Sequence, residues 1–371
     1  MGADKTDVMS FDEGFAFLGE DFGPRYPPML EGARSPEPDK KLLYVARQGC
    51  RVAVRRGRVI VEHDEAELLS VPTSQVGRLV CFGSVGITAG CRTWALSQDV
   101  SVTLASRRGN FLGSIVNDSW PARSSRVRAQ LAFEGTDAEI AAARAIVDSK
   151  LGHQITVLRR FGRRQHADEV AEAVHQIQGM RRMLPEAATR DEVMGLEGAA
   201  AASYWPCVGL LMPEELRFSF RSRQPPADIP NAAFSFLYTL LLGECVTAIH
   251  AAGLDAGIGV LHSTEDRRPS LALDLMEEFR PLVVDQTVVA AARRGALTAG
   301  HGQAPPGKSG VWLTAAGREA VIDAYETRML QTTKGALAGF AGSWRRHVYR
   351  QAQRLRRTIE YREPWTGLSW R

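Results

Sequence analysis

Residues 42–88 read LLYVARQGCRVAVRRGRVIVEHDEAELLSVPTSQVGRLVCFGSVGIT, and the fold is decided there. Valine, leucine and isoleucine recur at alternate positions or in short unbroken runs, with glycine-containing breaks between them. A period of two lines one face of a pleated strand, and Arg-Gly breaks supply hairpin turns. Together with VSVTLASRRG at 100–109, the stretch predicts a small all-β domain, a β-sandwich, over residues 41–120.

Past Pro121 the period changes to 3.6. Alanine-rich amphipathic segments occupy 136–160 (TDAEIAAARAIVDSKLGHQITVLRR), 166–183, 187–205, 231–253 and 270–294. Pro225, Pro226 and Pro230 precede the fourth of these, and Gly253 follows its last turn. The fold class is therefore α+β in two domains, an N-terminal small β-sandwich followed by an α-helical domain over 121–330. Residues 1–40 carry nine acids against four bases among prolines and glycines, and predict a flexible acidic arm with little fixed structure. Residues 331–371 read as a basic C-terminal tail.

With 371 residues, 44% hydrophobic and 24% charged, the chain has the make-up of a globular protein that buries its own cores. Wholesale disorder, collagen-like repeats and coiled coils are excluded. Five scattered cysteines, without a C-x-x-C pair, read as buried thiols. The N-terminus lacks a basic n-region with an apolar h-region, and no uninterrupted apolar run reaches a bilayer's span, so the expectation is a cytoplasmic protein with no membrane partner. The acidic arm leaves the rest of the chain net basic, and 40 of the 46 basic residues are arginine. Arginine suits phosphate through its planar fork, though codon usage gives the same skew, so composition only permits a nucleic-acid partner.

Two helical segments carry acids that a plain surface does not explain. Glu197 stands between Leu196 and a run of small residues, where a helix can approach another backbone closely. In SLALDLMEEFRPLVVD, Asp274 and Glu277 are spaced i,i+3 and share one helix face among leucines and a methionine. His262 ends the apolar run GIGVLHS twelve residues before Asp274. A histidine with two or three carboxylates suits a hard ion, Mg²⁺ or Mn²⁺, and points to phosphoryl-transfer chemistry. The same residues also admit a structural reading, in which the acids pair with arginines and His262 is a satisfied core histidine. Glu278 and Asp285 read as salt-bridge or capping residues.

The runs GLEGAAAASYW, FSFRSRQPPADIPNAAFSFLYTLL, AAGLDAGIGVLHS and RRPSLALDLMEEFRPLVVDQTVV, in this order and spacing, resemble the CRISPR-associated Cas1 family, the integrases of spacer acquisition. The resemblance runs from about Leu42 to about Leu330 and includes KLGHQITVLRR and VWLTAAGREAVIDAYETRM. It implies a β-sandwich, an α-helical catalytic domain and a homodimer, with a Cas2 dimer bridging two such dimers. It places the family's catalytic and metal-binding residues on Glu197, His262, Asp274 and Glu277. Glu277 stands where many relatives have aspartate, and Ala256 where many have proline.

The implied reaction inserts a short DNA duplex, the new spacer, into the repeat array by attack of its 3′-hydroxyl. Double-stranded DNA is then the substrate. Cas4 is a further partner fused to some relatives, of which the first 40 residues show no cysteine cluster. Candidate phosphate contacts are Arg217, Arg221, Arg223, Arg267 and Arg268, each of which also reads as a solvated loop residue. Tyr204 and Trp205 read as substrate-facing or, more simply, as core. The stretch 343–362 (SWRRHVYRQAQRLRRTIEYR), with seven arginines and one glutamate, reads as a helix along DNA, a solvated face or a partner contact. Competing readings are a structure-selective nuclease or mobile-element integrase on the same fold, and a catalytically silent DNA-binding scaffold.

Overall fold

A computed structural model of the chain describes residues 6–7, 15–17, 40–107, 109, 111–117, 123–162, 166–265, 268–304 and 309–370. Its N-terminal part comprises β1 (Thr6–Asp7), β2 (Phe15–Phe17), β3 (Lys41–Val45), β4 (Arg51–Arg55), β5 (Arg58–His63), β6 (Ala66–Pro72), β7 (Val76–Phe82), β8 (Gly86–Ile87), helix α1 (Ala89–Ser97), β9 (Ser101–Ala105) and β10 (Phe111–Ile115). They form a six-stranded sheet of order β1-β2-β3-β7-β9-β10 and a four-stranded sheet of order β6-β5-β4-β8.

The central strands β3, β7 and β9 of the larger sheet are buried on both faces. Leu43, Val45, Leu79, Cys81 and Val102 pack on Val52, Val59 and Val61 of the smaller sheet, closed at one end by Cys91 and Ala95 of α1. Leu42, Tyr44, Val80 and Phe82 point the other way and join the helical core. That two-sided burial is why LLYV and RLVCF are unbroken apolar runs, and why β3, β7 and β9 pair in parallel. The expectation of little fixed structure in residues 1–40 is corrected in part. Phe15–Phe17 adds antiparallel to Leu42–Tyr44, and Thr6–Asp7 adds to it in turn; the rest of the arm lies outside the described residues.

The remainder is helical: α2 (Arg123–Leu131), α3 (Asp137–Gly162), α4 (Ala167–Met183), α5 (Arg190–Leu210), α6 (Ile229–Ala251), α7 (Ser270–Phe279) and α8 (Gln286–Arg293), then β11 (Gly302–Gln303), β12 (Trp312–Leu313), α9 (Ala315–Leu330), the hairpin β13 (Thr332–Leu337) with β14 (Phe340–Ser343), and α10 (Trp344–Tyr361). A π-helical turn, Arg280–Asp285, joins α7 to α8. Such turns shift the side-chain register and recur at functional sites. Helix α6 is long and apolar enough to cross a membrane by length and composition, and it lies largely buried at the centre of the helical core.

Residues 331–370 do not form a separate basic tail. Trp344, Val348, Ala352, Leu355 and Ile359 put one face of α10 into the helical core, followed by Trp365 and Leu368. The buried Arg356 pairs with Glu360, and the exposed Arg357 pairs with Glu363. Arg345 is wholly buried. It holds Glu326 through Nη2 at 2.8 Å and Glu244 through Nε at 3.2 Å, while Arg78 of β7 reaches the other Glu244 oxygen at 2.9 Å and the Tyr44 hydroxyl donates to Glu326. Two arginines and two glutamates of balanced charge thus tie the sheet to α6, α9 and α10.

Candidate active site

Helices α3, α5 and α7 and the loop before α7 bring Glu197, His262, Asp274 and Glu277 into one neighbourhood. Thr189 caps α5 by accepting from the Glu192 amide at 3.2 Å, and Glu192 returns the contact to the Thr189 amide. Glu197 lies two turns further on. The expected close backbone approach beside it is absent: a Cβ at Gly195 or Gly198 would meet nothing within 4 Å, so this flank of α5 is open. The tight helix contact lies instead at Gly209, where a Cβ would strike the Phe218 carbonyl oxygen at 1.8 Å.

The loop before α7 is wrapped around the Asp274 carboxylate. One oxygen accepts from the Val260 amide at 2.6 Å and the Leu261 amide at 3.0 Å; the other accepts from the His262 amide at 2.9 Å and from His262 Nδ1 at 2.6 Å. Gly259 permits the turn, because a Cβ there would meet the His262 carbonyl oxygen at 2.2 Å. With Nδ1 turned to Asp274, the Nε2 of the imidazole makes no hydrogen bond to any described residue. Asp274, fully buried with both oxygens engaged, orients this histidine rather than facing outward.

Glu197 and Glu277 converge on one point, held by a cation that sequence reading missed. Lys150 Nζ of α3 donates to Glu197 Oε1 at 2.5 Å and to Glu277 Oε2. Arg280, in the first position of the π-turn, holds the other Glu277 oxygen at 3.1 Å and lies 4.7 Å above the Tyr238 ring. Burial pushes the Glu277 carboxyl up, but Arg280, Lys150 and His262 outweigh it and leave it at about 2. Burial also acts to lower the Lys150 ammonium, and Glu277 and Glu197 reverse the sign, raising it. A signal for both bases was present in the sequence. Lys150 falls on the apolar side of α3, and Arg280 follows Glu277 by three residues.

The donor set fits a hard divalent ion in kind. Two carboxylates already meet on a positive centre, and the His262 imidazole lies close enough to Glu277 to act on it electrostatically. The Lys150 ammonium stands at that centre, and among the described residues no three carboxylate, imidazole or thiol groups form a ready ligand cluster.

The remaining candidates separate by exposure. Arg217 and Arg223 are exposed, and Arg268 pairs with Glu265 at 3.1 Å. Arg221 is engaged internally: it donates to Asn231 Oδ1 at 3.0 Å and Ser235 Oγ at 2.9 Å, and its guanidinium lies among the rings of Trp205, Phe234 and Tyr238. Arg267 lies outside the described residues. Tyr204 is buried and donates to Asp285 at 2.9 Å, and Trp205 stacks edge-on to Phe234, so both belong to the core. Among the described residues Asp285 and Glu278 form neither a salt bridge nor a side-chain helix cap, contrary to expectation, although Asp285 stands at the N-cap position of α8. Asp285 accepts from Tyr204 and Tyr238, while Glu278 accepts from Trp365 Nε1 and the Leu368 amide, anchoring the C-terminal segment.

Residues 43–327 match the family model described as CRISPR associated protein Cas1. The CRISPR-associated endonuclease Cas1 1 of Thermus thermophilus is 35% identical over 324 residues, 87% of this chain and 98% of that one. A Cas4 exonuclease/Cas1 endonuclease fusion of Myxococcus xanthus is 31% identical over 90% of this chain and 59% of its own length. Among solved structures, a casposase bound to integration product superposes with a TM-score of 0.76 at 21% identity, covering 86% of this chain and 90% of that one. A chain of a Cas6-RT-Cas1–Cas2 complex gives 0.76 at 22% identity, covering 92% of this chain and 37% of that one.

Proposed function

The chain belongs to the CRISPR-associated Cas1 family, and from that premise we propose that it is a metal-dependent DNA integrase and endonuclease of CRISPR adaptation. The observation that carries the reading is the meeting of Glu197 and Glu277 on one positive centre, beside a histidine whose Nδ1 is tied to Asp274. Glu197, Glu277 and Nε2 of His262 would hold Mg²⁺ or Mn²⁺. When bound, such an ion polarises the phosphodiester and stabilises charge on the attacking and leaving oxygens.

The chain's own residues set the rest. Asp274 fixes the tautomer and direction of His262, so that Nε2 keeps its lone pair facing the site. Arg280 holds Glu277 in place and adds positive charge where a phosphate's oxygens arrive. The open flank at Gly195 and Gly198 admits a DNA backbone next to Glu197. In the reaction, the 3′-hydroxyl oxygen of a short duplex attacks phosphorus at a repeat boundary. One P–O bond forms, one breaks, and the proton of the attacking hydroxyl ends on the leaving 3′-oxygen, so no nucleotide cofactor is consumed.

Double-stranded DNA is the proposed substrate, in the cytoplasm, for a homodimer joined to a second homodimer by Cas2. The Cas1–Cas2 complex and the Cas4 fusion found among similar proteins support Cas2 and Cas4 as partner candidates. The test is strand transfer of a labelled duplex with free 3′-hydroxyls into a plasmid carrying a repeat, with Mn²⁺ or EDTA and with or without Cas2. Joining that requires metal and is lost in His262→Ala supports the reading. Tight DNA binding without joining or cleavage under every condition would leave a silent scaffold.

A further inference from the structure

Lys150 is only 7% exposed and its ammonium bridges two carboxylates from different helices. A buried lysine of this kind is costly unless its charge is answered, and here it is answered twice, by Glu197 and Glu277. With Arg280 on the far oxygen of Glu277, the four formal charges cancel. The site is electrically closed without any metal.

We infer that the Lys150 ammonium is the resident cation of the Glu197–Glu277 pair, and that a divalent ion enters only by displacing it, which ties metal loading to the arrival of a DNA phosphate. The inference rests on the reading of this site as a divalent-metal site. An ammonium and a divalent ion compete for the same oxygens, and the two cannot share them without a strong repulsion in a poorly hydrated place. Exchange of one for the other leaves the carboxylates, the ion and Arg280 with one positive charge in excess. With the displaced ammonium still beside the site the excess is two, and an incoming phosphodiester cancels one of them. The released ammonium stays tethered to α3 beside the site, a compact donor suited to a non-bridging phosphate oxygen. Lysine can leave such a pair by rotating its flexible four-carbon stem.

Two measurements test this. The chain has six lysines, so a pulse of amine acetylation followed by mass spectrometry resolves Lys150 against the others. In the wild-type protein, Mn²⁺ should raise labelling of Lys150 severalfold over EDTA, with Lys5, Lys308 and Lys334 unchanged. Mn²⁺ titration followed by electron paramagnetic resonance should show Lys150→Met binding the ion about tenfold more tightly than wild type without DNA, and gaining less than wild type does when a duplex is added.

Unchanged Lys150 labelling, or equal or weaker Mn²⁺ binding by a folded Lys150→Met, overturns the inference while leaving the metal site standing. Mn²⁺ binding by neither protein overturns both. Should circular dichroism show Lys150→Met unfolded, the wild-type labelling decides alone.

Discussion

His262 Nδ1 lies 2.6 Å from Asp274 Oδ1, and the same carboxylate also gathers the amides of residues 260, 261 and 262. Asp274 is thus the post around which the histidine's loop is wound. Asn in its place keeps the shape but loses the charge and puts an NH₂ against donors. Asp274→Asn is expected to lower DNA joining and cleavage by about 100-fold, as loss of an outer-shell partner does. Its Mn²⁺ binding through Glu197 and Glu277 should fall less than in His262→Ala, and single-turnover rates with metal titration check both.

Glu277 carries a cation on each oxygen, Lys150 on one and Arg280 on the other. Removing its charge strands the mostly buried Arg280 and leaves Lys150 with Glu197 alone. Glu277→Gln should cost about 3–5 kcal/mol in unfolding free energy, the usual penalty for breaking a buried pair from one side. Glu197→Gln should cost clearly less, because the Glu197 side chain is 25% exposed and Lys150 keeps Glu277. Urea unfolding of both variants without metal gives the comparison, and equal losses would remove Glu277 from its central place.

Much of this was legible in the sequence for a physical reason: periodicity reports burial, and burial makes the layers. The unbroken LLYV run was legible as a strand, and the 3.6-period segments lie within a few residues of α3 to α8, the last of them spanning α7, the π-turn and α8. The i,i+3 spacing put Asp274 and Glu277 on one face, yet spacing could not divide their labours, since only the fold shows Asp274 turned to the loop and Glu277 to Lys150. The helix from Trp344 misled by charge count, because a strongly basic helix with one apolar stripe packs on that stripe and keeps its arginines for pairing or solvent. Asp285 and Glu278 misled in the same way: their partners are tyrosine, tryptophan and backbone donors, which leave no charge pattern to read.

Asp285 supplies a pH signature. Burial raises its carboxyl, and the hydroxyls of Tyr238 and Tyr204 offset this only in part, leaving it at about 6 against an ordinary 3.8. The folded chain therefore holds this proton more tightly than the unfolded one. Its contribution to stability is fully present below 3.8 and is lost as pH rises through 6, on the order of 3 kcal/mol in total. Wild type should lose stability relative to Asp285→Asn between pH 4 and pH 7, and denaturant unfolding of the two proteins across that range measures it. A difference that is flat with pH, or of opposite sign, would contradict the assignment.

Arg221 and Arg223 differ by two residues and should differ in kind. Arg221 is wedged among three aromatic rings and donates to Asn231 and Ser235, whereas Arg223 is exposed. A phosphate contact releases counterions from DNA, so removing one lowers the slope of log K against log salt by about 0.9. An arginine used for packing cannot do this. Arg223→Ala should therefore leave the melting temperature unchanged and flatten the salt dependence of duplex binding by about one ion. Arg221→Ala should destabilise the fold by about 2 kcal/mol through lost ring contacts and orphaned partners, with the salt slope unaltered in whatever fraction remains folded. Thermal melts and fluorescence anisotropy at several salt concentrations separate the two, and a lowered slope in Arg221→Ala would mean that its guanidinium leaves the aromatic cage when DNA arrives.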